Sequence, residues 1–272
     1  MDLVKKGIGT LALLLLASVF IFPFLWMVST SLKSLIETTH FPPSLLPEQF
    51  LFENFRQAFH AINFFTSARN SLIIVVGVLI AQIIVVIPAA YALAFKNMKW
   101  GKFFFGLIMV GIMVPQQVTF VPIFFLFSEL SLINTYTALI IPFAASAFGI
   151  FMITQSFKQI PKDVIEAARL DKSGELKIIW RILLPAARPM IVCFMMFSII
   201  SRWNDFFWPT IMTNIESMRT LSMAITRLTP VDGIRPWNII MAANLIFISP
   251  LLVLYIFCNK WIKTALAYSG VK

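Results

Sequence analysis

The residues able to do chemistry in this chain are few, and they are not grouped for catalysis. Between Lys158 and Arg188 lie seven basic and four acidic residues, the acids being Asp163, Glu166, Asp171 and Glu175. Arg202 and Asp205 stand three apart, a spacing at which opposite charges neutralise each other on one helix face. Near the end of a membrane span such a pair fixes structure in preference to contacting a substrate. Gln116 and Gln117 sit between Pro115 and Pro122, and Trp203, Asn204 and Asn244 add further polar and aromatic groups. His40 and His60 have no acids or cysteines placed beside them as co-ligands, and Cys193 and Cys258 both fall inside apolar stretches. That pattern offers neither a metal site nor a disulfide framework. No clustered His, Cys, Asp or Glu constellation is available for an enzyme, and the chemistry on offer is ion pairing and hydrogen bonding.

Those groups have to be positioned by an apolar framework. The 272 residues are 59% hydrophobic and 12% charged, about half the charge fraction of an ordinary soluble domain. Uncharged intervals run over 7–32, 70–95, 103–128, 130–157 and 236–259, and a sixth candidate, 190–208, has Arg202 and Asp205 near its far end. About 20 residues cross the ~30 Å hydrocarbon layer as a helix. Six spans are expected. With the N-terminus in the cytoplasm, fifteen basic residues fall inside, six fall outside and Arg202 lies at a span's end, as the positive-inside rule requires. The net charge of +10 therefore reflects topology and not a nucleic-acid partner, which would need a basic face on a soluble fold. Lys5 and Lys6 before Leu11–Leu16 imitate a secretory signal, but the apolar run continues through Phe20, Phe24 and Trp26 to Val28 without a small-x-small cleavage pattern, so the segment reads as a retained anchor. Pro23 is expected to kink it.

The expected organisation is a first helix with an outer segment (1–69), then a five-helix core (70–272) carrying a cytoplasmic loop (158–189). In the outer segment, Phe41-Pro42-Pro43 and Leu46-Pro47 break regular structure. Phe50 to Phe65 suits either a short helix in the membrane interface or a loop packed on the bundle. Pro115 and its amides, costly in mid-membrane unless they face protein or water, suit either a bent pore-lining helix or hydrogen bonding between helices. Small residues at Ala144 to Gly149 and at Pro88 to Ala92 permit close helix approach. No internal repeat is evident, which counts against an inverted-repeat secondary transporter.

Within the loop, Asp163 and Glu166 after Pro161 form a capping-box pattern that starts a short helix carrying Val164, Ile165, Ala168 and Leu170. Asp171-Lys172-Ser173-Gly174 breaks it. A second helix over 176–184 places Ile178, Ile179, Ile182 and Leu183 on one side, and Pro185 is expected to end it. Two short helices around a turn make a protruding knob.

The run Glu166-Ala167-Ala168-Arg169-Leu170-Asp171, followed at matching spacing by Ile182-Leu183-Leu184-Pro185, resembles the cytoplasmic EAA signature of binding-protein-dependent ABC importer permeases. Tyr91-Ala92-Leu93-Ala94, Asn134-Thr135-Tyr136, Ile160-Pro161 and Trp203-Asn204-Asp205-Phe206-Phe207-Trp208-Pro209 are similar to the carbohydrate branch, that of the maltose-system subunit MalG. The resemblance implies the all-α type I ABC importer permease fold, with both termini cytoplasmic, in a bacterial plasma (inner) membrane. It implies a homologous second permease, two ATP-binding cassette subunits and an extracytoplasmic solute-binding protein as partners, with lipid around the spans. It also implies that Glu166, Ala167, Ala168, Arg169, Asp171, Gly174 and Pro185 couple this chain to an ATPase. There Glu166 and Asp171 pair with a partner's basic groups, and the two alanines allow close approach. The chain has no G-x-x-x-x-G-K-[ST], so ATP and Mg are expected on partner chains and no cofactor or metal on this one. The family places Gly after the Asp, where this chain has Lys172. A positive φ there costs Lys about 1 kcal/mol relative to Gly, unless the turn moves to Gly174. For a sugar cargo the path groups are Gln116, Gln117, Trp203, Asn204 and Asn244, and the outer loop 210–235 suits a binding protein. An ion-coupled secondary transporter, the rival, would want acidic residues in mid-span, and none is there.

Overall fold

The computed structural model describes residues 2–228, 233 and 235–270, with side chains from 9 to 264 within those limits. Lys5, Lys6 and Lys272 therefore lie outside the described side chains, and the outer loop expected over 210–235 is described only in part.

Three helices are long and apolar enough to cross a membrane: α1 (Asp2–Ser31), α4 (Phe64–Phe95) and α15 (Trp237–Gly270). Among the described residues three further crossings involve bent helix pairs. α5 (Gly101–Met113) meets α6 (Gln116–Glu129) at 98°, α7 (Tyr136–Ile140) with a 3-10 turn (Ile141–Phe143) meets α8 (Ala147–Lys158) at 42°, and a run beginning at Glu175 meets α12 (Arg188–Trp203) at 86°. In the last pair the first member is the second half of the cytoplasmic loop, and α12 makes the crossing. Each pair counted as one span gives the six expected.

Proline makes each break. Val114 is extended (ψ 117°) because the ring of Pro115 excludes the helical region from the residue before it, and Pro115 itself becomes the N-cap of α6. Pro142 lies in the 3-10 turn, and Ser146 then restarts helix by accepting the Gly149 N–H at 3.0 Å. Pro189 opens α12 in its first turn, where its missing N–H costs little. In contrast, Pro23, Pro88, Pro122 and Pro250 stay within continuous helices.

The chain forms two compact units, 1–67 with 221–250, and 68–220 with 251–272. The first unit thus joins 221–250 to the first 67 residues. In this unit Ser34 caps α2 (Leu35–Thr39), and α3 (Glu53–Ala61) is the short helix that Phe50–Phe65 allowed. Asn54 on α3 is buried, donating to the carbonyls of Ser31 at 2.9 Å and Lys33 at 2.8 Å, while its own oxygen accepts from Asn238 at 3.0 Å.

The second unit holds two apolar clusters. One joins Val86, Ala90 and Tyr91 of α4 to Ile150, Ile153 and Phe157 of α8 and to Ile191 and Phe194 of α12. The other joins Ile74 and Val78 to Leu139, Trp208 and Met212. The small residues are contact points: a Cβ on Gly149 would stand 2.4 Å from the Phe194 ring, and one on Gly77 would stand 2.5 Å from Ile140.

Candidate functional site: the cytoplasmic loop and a cavity among broken helices

The loop is built from α9 (Lys162–Leu170), α10 (Glu175–Ile178), a π-helical turn (Ile179–Leu183) and α11 (Leu184–Ala186). Its inner side consists of Ile165, Ala168, Ile178, Ile179, Leu183 and Ala187, all buried in the same cluster as Tyr91 and Phe157. Burial of each large aliphatic among them stabilises the docked loop by about 1.5–3 kcal/mol. The loop is thus packed onto the inner ends of the spans and is less of a free knob than its polarity suggests. Its outer side carries Glu166, Ala167, Asp171 and Lys172, all exposed, beside Leu170 (84% exposed), Leu176 and Trp180. Large apolar side chains at such exposure stand here beside acids that have no ion-pair partner among the described residues, a combination able to bind another molecule.

Two local expectations are corrected. The capping box does not form: Pro161 is the N-cap of α9, and Asp163, one position inside the helix, acts only as first-turn negative charge. Nor does Pro185 end the second helix: the helical run continues through it by way of the π turn Ile179–Leu183, a local widening of the helix, and the chain turns only at Ala187 (φ −93°, ψ 8°).

The turn between α9 and α10 has not moved. Lys172 holds φ +55° while Gly174 is extended at φ −66°. The Lys172 N–H donates to Arg169 O at 2.9 Å and the Ser173 N–H to Ala168 O at 3.0 Å, the bond pattern of a Schellman motif, in which the first residue past the cap must be left-handed. Lysine occupies the position that favours glycine.

Arg169, expected at the partner surface, is engaged within the chain. Its guanidinium donates to the Tyr91 hydroxyl at 3.0 Å and lies 3.5 Å from Glu175, which also accepts from Lys96 at 2.8 Å and from the Tyr91 hydroxyl. This cluster joins α9 and α10 to the inner end of α4. Sequence reasoning missed Glu175, Tyr91 and Lys96 as partners, although Tyr91 opened one of the quoted motifs.

At the other end of α12, Arg202 and Asp205 form the expected ion pair at 2.7 Å, both side chains largely buried. Asp205 also accepts the Trp208 N–H at 3.1 Å, and the Trp208 indole donates to Ala138 O at 3.0 Å. Arg202 stacks 3.6 Å over Phe143. Nearby, Asn134 (φ +62°) exchanges two hydrogen bonds with Asn214, and Asn70, accepting from Tyr136, donates to the carbonyls of Ser217 and Arg219. The Asn134-Thr135-Tyr136 and Trp203–Pro209 segments together lock the outer turns of the second unit.

Between these ends lies a cavity of about 500 Å³ where two of the helix breaks meet α12 and α4. Gln116, Ser146, Ser201 and Arg202 line it with Phe143 and Phe197. Gln82, buried within α4, also reaches it and cross-links three elements: it accepts from Ser198 at 2.7 Å and donates to Phe143 O at 3.0 Å. Of the expected path residues, only Gln116 reaches this cavity. Gln117 is exposed elsewhere, Trp203 is buried, Asn204 donates to Ile200 O, and Asn244, in the unit formed by 1–67 and 221–250, donates to Ile240 O. Gln82 went unnoticed because one amide in an uncharged run carries no spacing signal.

The family described as "Binding-protein-dependent transport system inner membrane component" matches residues 85–268. The chain is 29% identical over 266 residues to the sn-glycerol-3-phosphate transport system permease protein UgpE of Brucella abortus (strain 2308), covering 95% of this chain and 94% of that one. It is 29% identical over 267 residues to the arabinooligosaccharides transport system permease protein AraQ of Halalkalibacterium halodurans, covering 97% and 95%. A solved bacterial ABC transporter involved in the import of the acidic polysaccharide alginate contains a chain with which it shares its fold, at TM-score 0.86 and 23% identity over 96% of this chain and 97% of that one.

Proposed function

Since this chain belongs to the family of binding-protein-dependent transport system inner membrane components, we propose that it is the permease subunit of an ATP-driven importer whose cargo is a carbohydrate. It forms half of a translocation path with a homologous permease. Two ATP-binding cassette subunits bind ATP and Mg and hydrolyse the nucleotide, and an extracytoplasmic solute-binding protein delivers the cargo.

The observation that carries the reading is the two-sided loop. Glu166, Asp171, Leu170 and Trp180 face outward for an ATPase, while Ile165, Ile178 and Leu183 are continuous with the core of the spans. A surface so mounted transmits a push, because close-packed interiors move as bodies instead of deforming.

Carbohydrate cargo is supported by the cavity's chemistry. The charge of Arg202 is matched by Asp205, so the walls offer amide, hydroxyl and aromatic surface without net charge, as a polyhydroxylated solute requires. The relative named for arabino-oligosaccharides handles an uncharged solute of that kind, whereas the one named for glycerol 3-phosphate handles an anionic one.

Reconstitution of the chain with its partner subunits in proteoliposomes tests the proposal. Labelled sugar uptake should require the binding protein and hydrolysable ATP; uptake that persists with a hydrolysis-dead ATPase would sink it in favour of an ion-coupled transporter. Gln116→Ala should lower substrate-stimulated ATPase activity, and Asn244→Ala should leave it unchanged.

A further inference from the structure

The outer end of α1 holds an ammonium group with no anion beside it. Lys33 is 2% exposed; its Nζ lies 4.9 Å from the centre of the Trp26 ring and donates to the Ser44 carbonyl. Among the described residues no carboxylate comes within ion-pair distance of it. An ammonium has three donors, and burying it without a counter-charge is costly. Thr30, 6% exposed, is a second anomaly: its hydroxyl is buried and has no hydrogen-bond partner in the described structure. Buried polar groups are nearly always satisfied, so two such groups at one place point to a missing acceptor.

Both residues open on one cavity of about 260 Å³, whose wall also includes Glu37, Trp26 and Trp237. The place is built: Asn54 pins the Lys33 backbone, and one oxygen of Glu37 is held by the Ser44 hydroxyl at 3.2 Å and the Glu48 N–H at 3.0 Å. A ligand fitting these walls carries anionic oxygen for Lys33 and Thr30, and a cation for Glu37; the two indoles already have Lys33 and Arg235 against them. The volume is several times the ~30 Å³ of a water molecule, enough for a small zwitterion.

Lipid is the nearest source of such a group. Residues 9–25 of α1 are exposed throughout, Trp26 stands near its outer end where interfacial aromatics collect, and Ile36, Phe41 and Leu45 beyond it are exposed. We infer that this cavity holds the phosphoethanolamine headgroup of a membrane lipid, its phosphate on Lys33 and Thr30 and its ammonium toward Glu37. The inference rests on the chain's crossing a membrane and is independent of its cargo.

Native mass spectrometry of the full-length chain, delipidated and titrated with phosphatidylethanolamine, phosphatidylglycerol or inorganic phosphate, tests it. One phosphatidylethanolamine should be retained at least ten-fold more tightly than phosphatidylglycerol. Lys33→Met should abolish that retention, Lys33→Arg should keep most of it, and Glu37→Gln should bring the two lipids to within about two-fold. If Lys33→Met does not fold, Thr30→Val, with an expected several-fold loss, takes its place. Equal retention by wild type and a folded Lys33→Met variant, equal affinity for the two lipids in wild type, or protection by inorganic phosphate equal to that by phosphatidylethanolamine would each overturn the inference.

Discussion

The two ends of α12 treat charge in opposite ways. At the outer end charges and amides are matched within the chain: Arg202 with Asp205, Asn134 with Asn214, Asn70 with two carbonyls. At the inner end Glu166 and Asp171 turn outward, with exposed Leu170, Leu176 and Trp180 around them, and the matched group around Glu175 lies behind that surface. Matched polar groups in a low-dielectric setting fix a geometry, whereas unpaired charge beside apolar surface is available to another molecule. The outer end is a lock, and the inner end has the character of the contact proposed for it.

Breaking the lock should have the largest effect on the chain alone. Arg202→Ala leaves the Asp205 carboxylate buried without its cation and should cost about 3–5 kcal/mol, read as thermal unfolding in detergent. Leu183→Ala, at the fully buried inner side of the loop, should cost about 2–5 kcal/mol by the same measurement, and should also uncouple ATP hydrolysis from uptake.

Substitution on the contact face should do the reverse. Glu166→Lys, exposed and unpaired among described residues, should shift unfolding by less than about 0.5 kcal/mol. Co-purification of the ATPase should nonetheless fall at least ten-fold. If the ATPase stays bound, the inner end is not the contact, and the comparison fails.

Smaller effects sharpen the picture. Glu175→Gln removes half-exposed ion pairs to Lys96 and Arg169, worth less than about 1 kcal/mol to stability, and its signature should be weaker coupling at near-normal Tm. Lys172→Gly should raise stability by up to about 1 kcal/mol, since it relieves a left-handed lysine, whereas Gly174→Ala, at φ −66° in open space, should change little.

Much of the fold was legible because membrane crossing writes itself in composition: a span must be long and uncharged, and its flanking lysines fix direction. The loop was legible through its spacing, and the Ile178, Ile179 and Leu183 side was read correctly because helical period alone decides which residues share a face. The breaks were harder. The helix breaks beside Pro115 and Pro142 and runs on through Pro88 and Pro250, a difference that proline content alone does not encode; at Pro250 the Ser249 hydroxyl donates to the Ile246 carbonyl that the ring leaves without its N–H. The cavity lining was the least legible: Gln82 and Ser201 reach it, and neither carries a spacing signal, whereas Trp203, Asn204 and Asn244 lie outside its wall.

By itself the sequence determined the number of crossings, their direction, the two-helix loop and the place where lysine replaces glycine, all of which follow from local length, period and steric preference. Only the tertiary structure decided that the Lys172 turn stayed in register, that Arg169 turns back to Glu175 and Tyr91, that 221–250 belongs with the first helix, and that Lys33 and Thr30 share a cavity. Those outcomes depend on which distant groups meet, and neither hydropathy nor spacing along the chain encodes the distance between residues far apart in sequence.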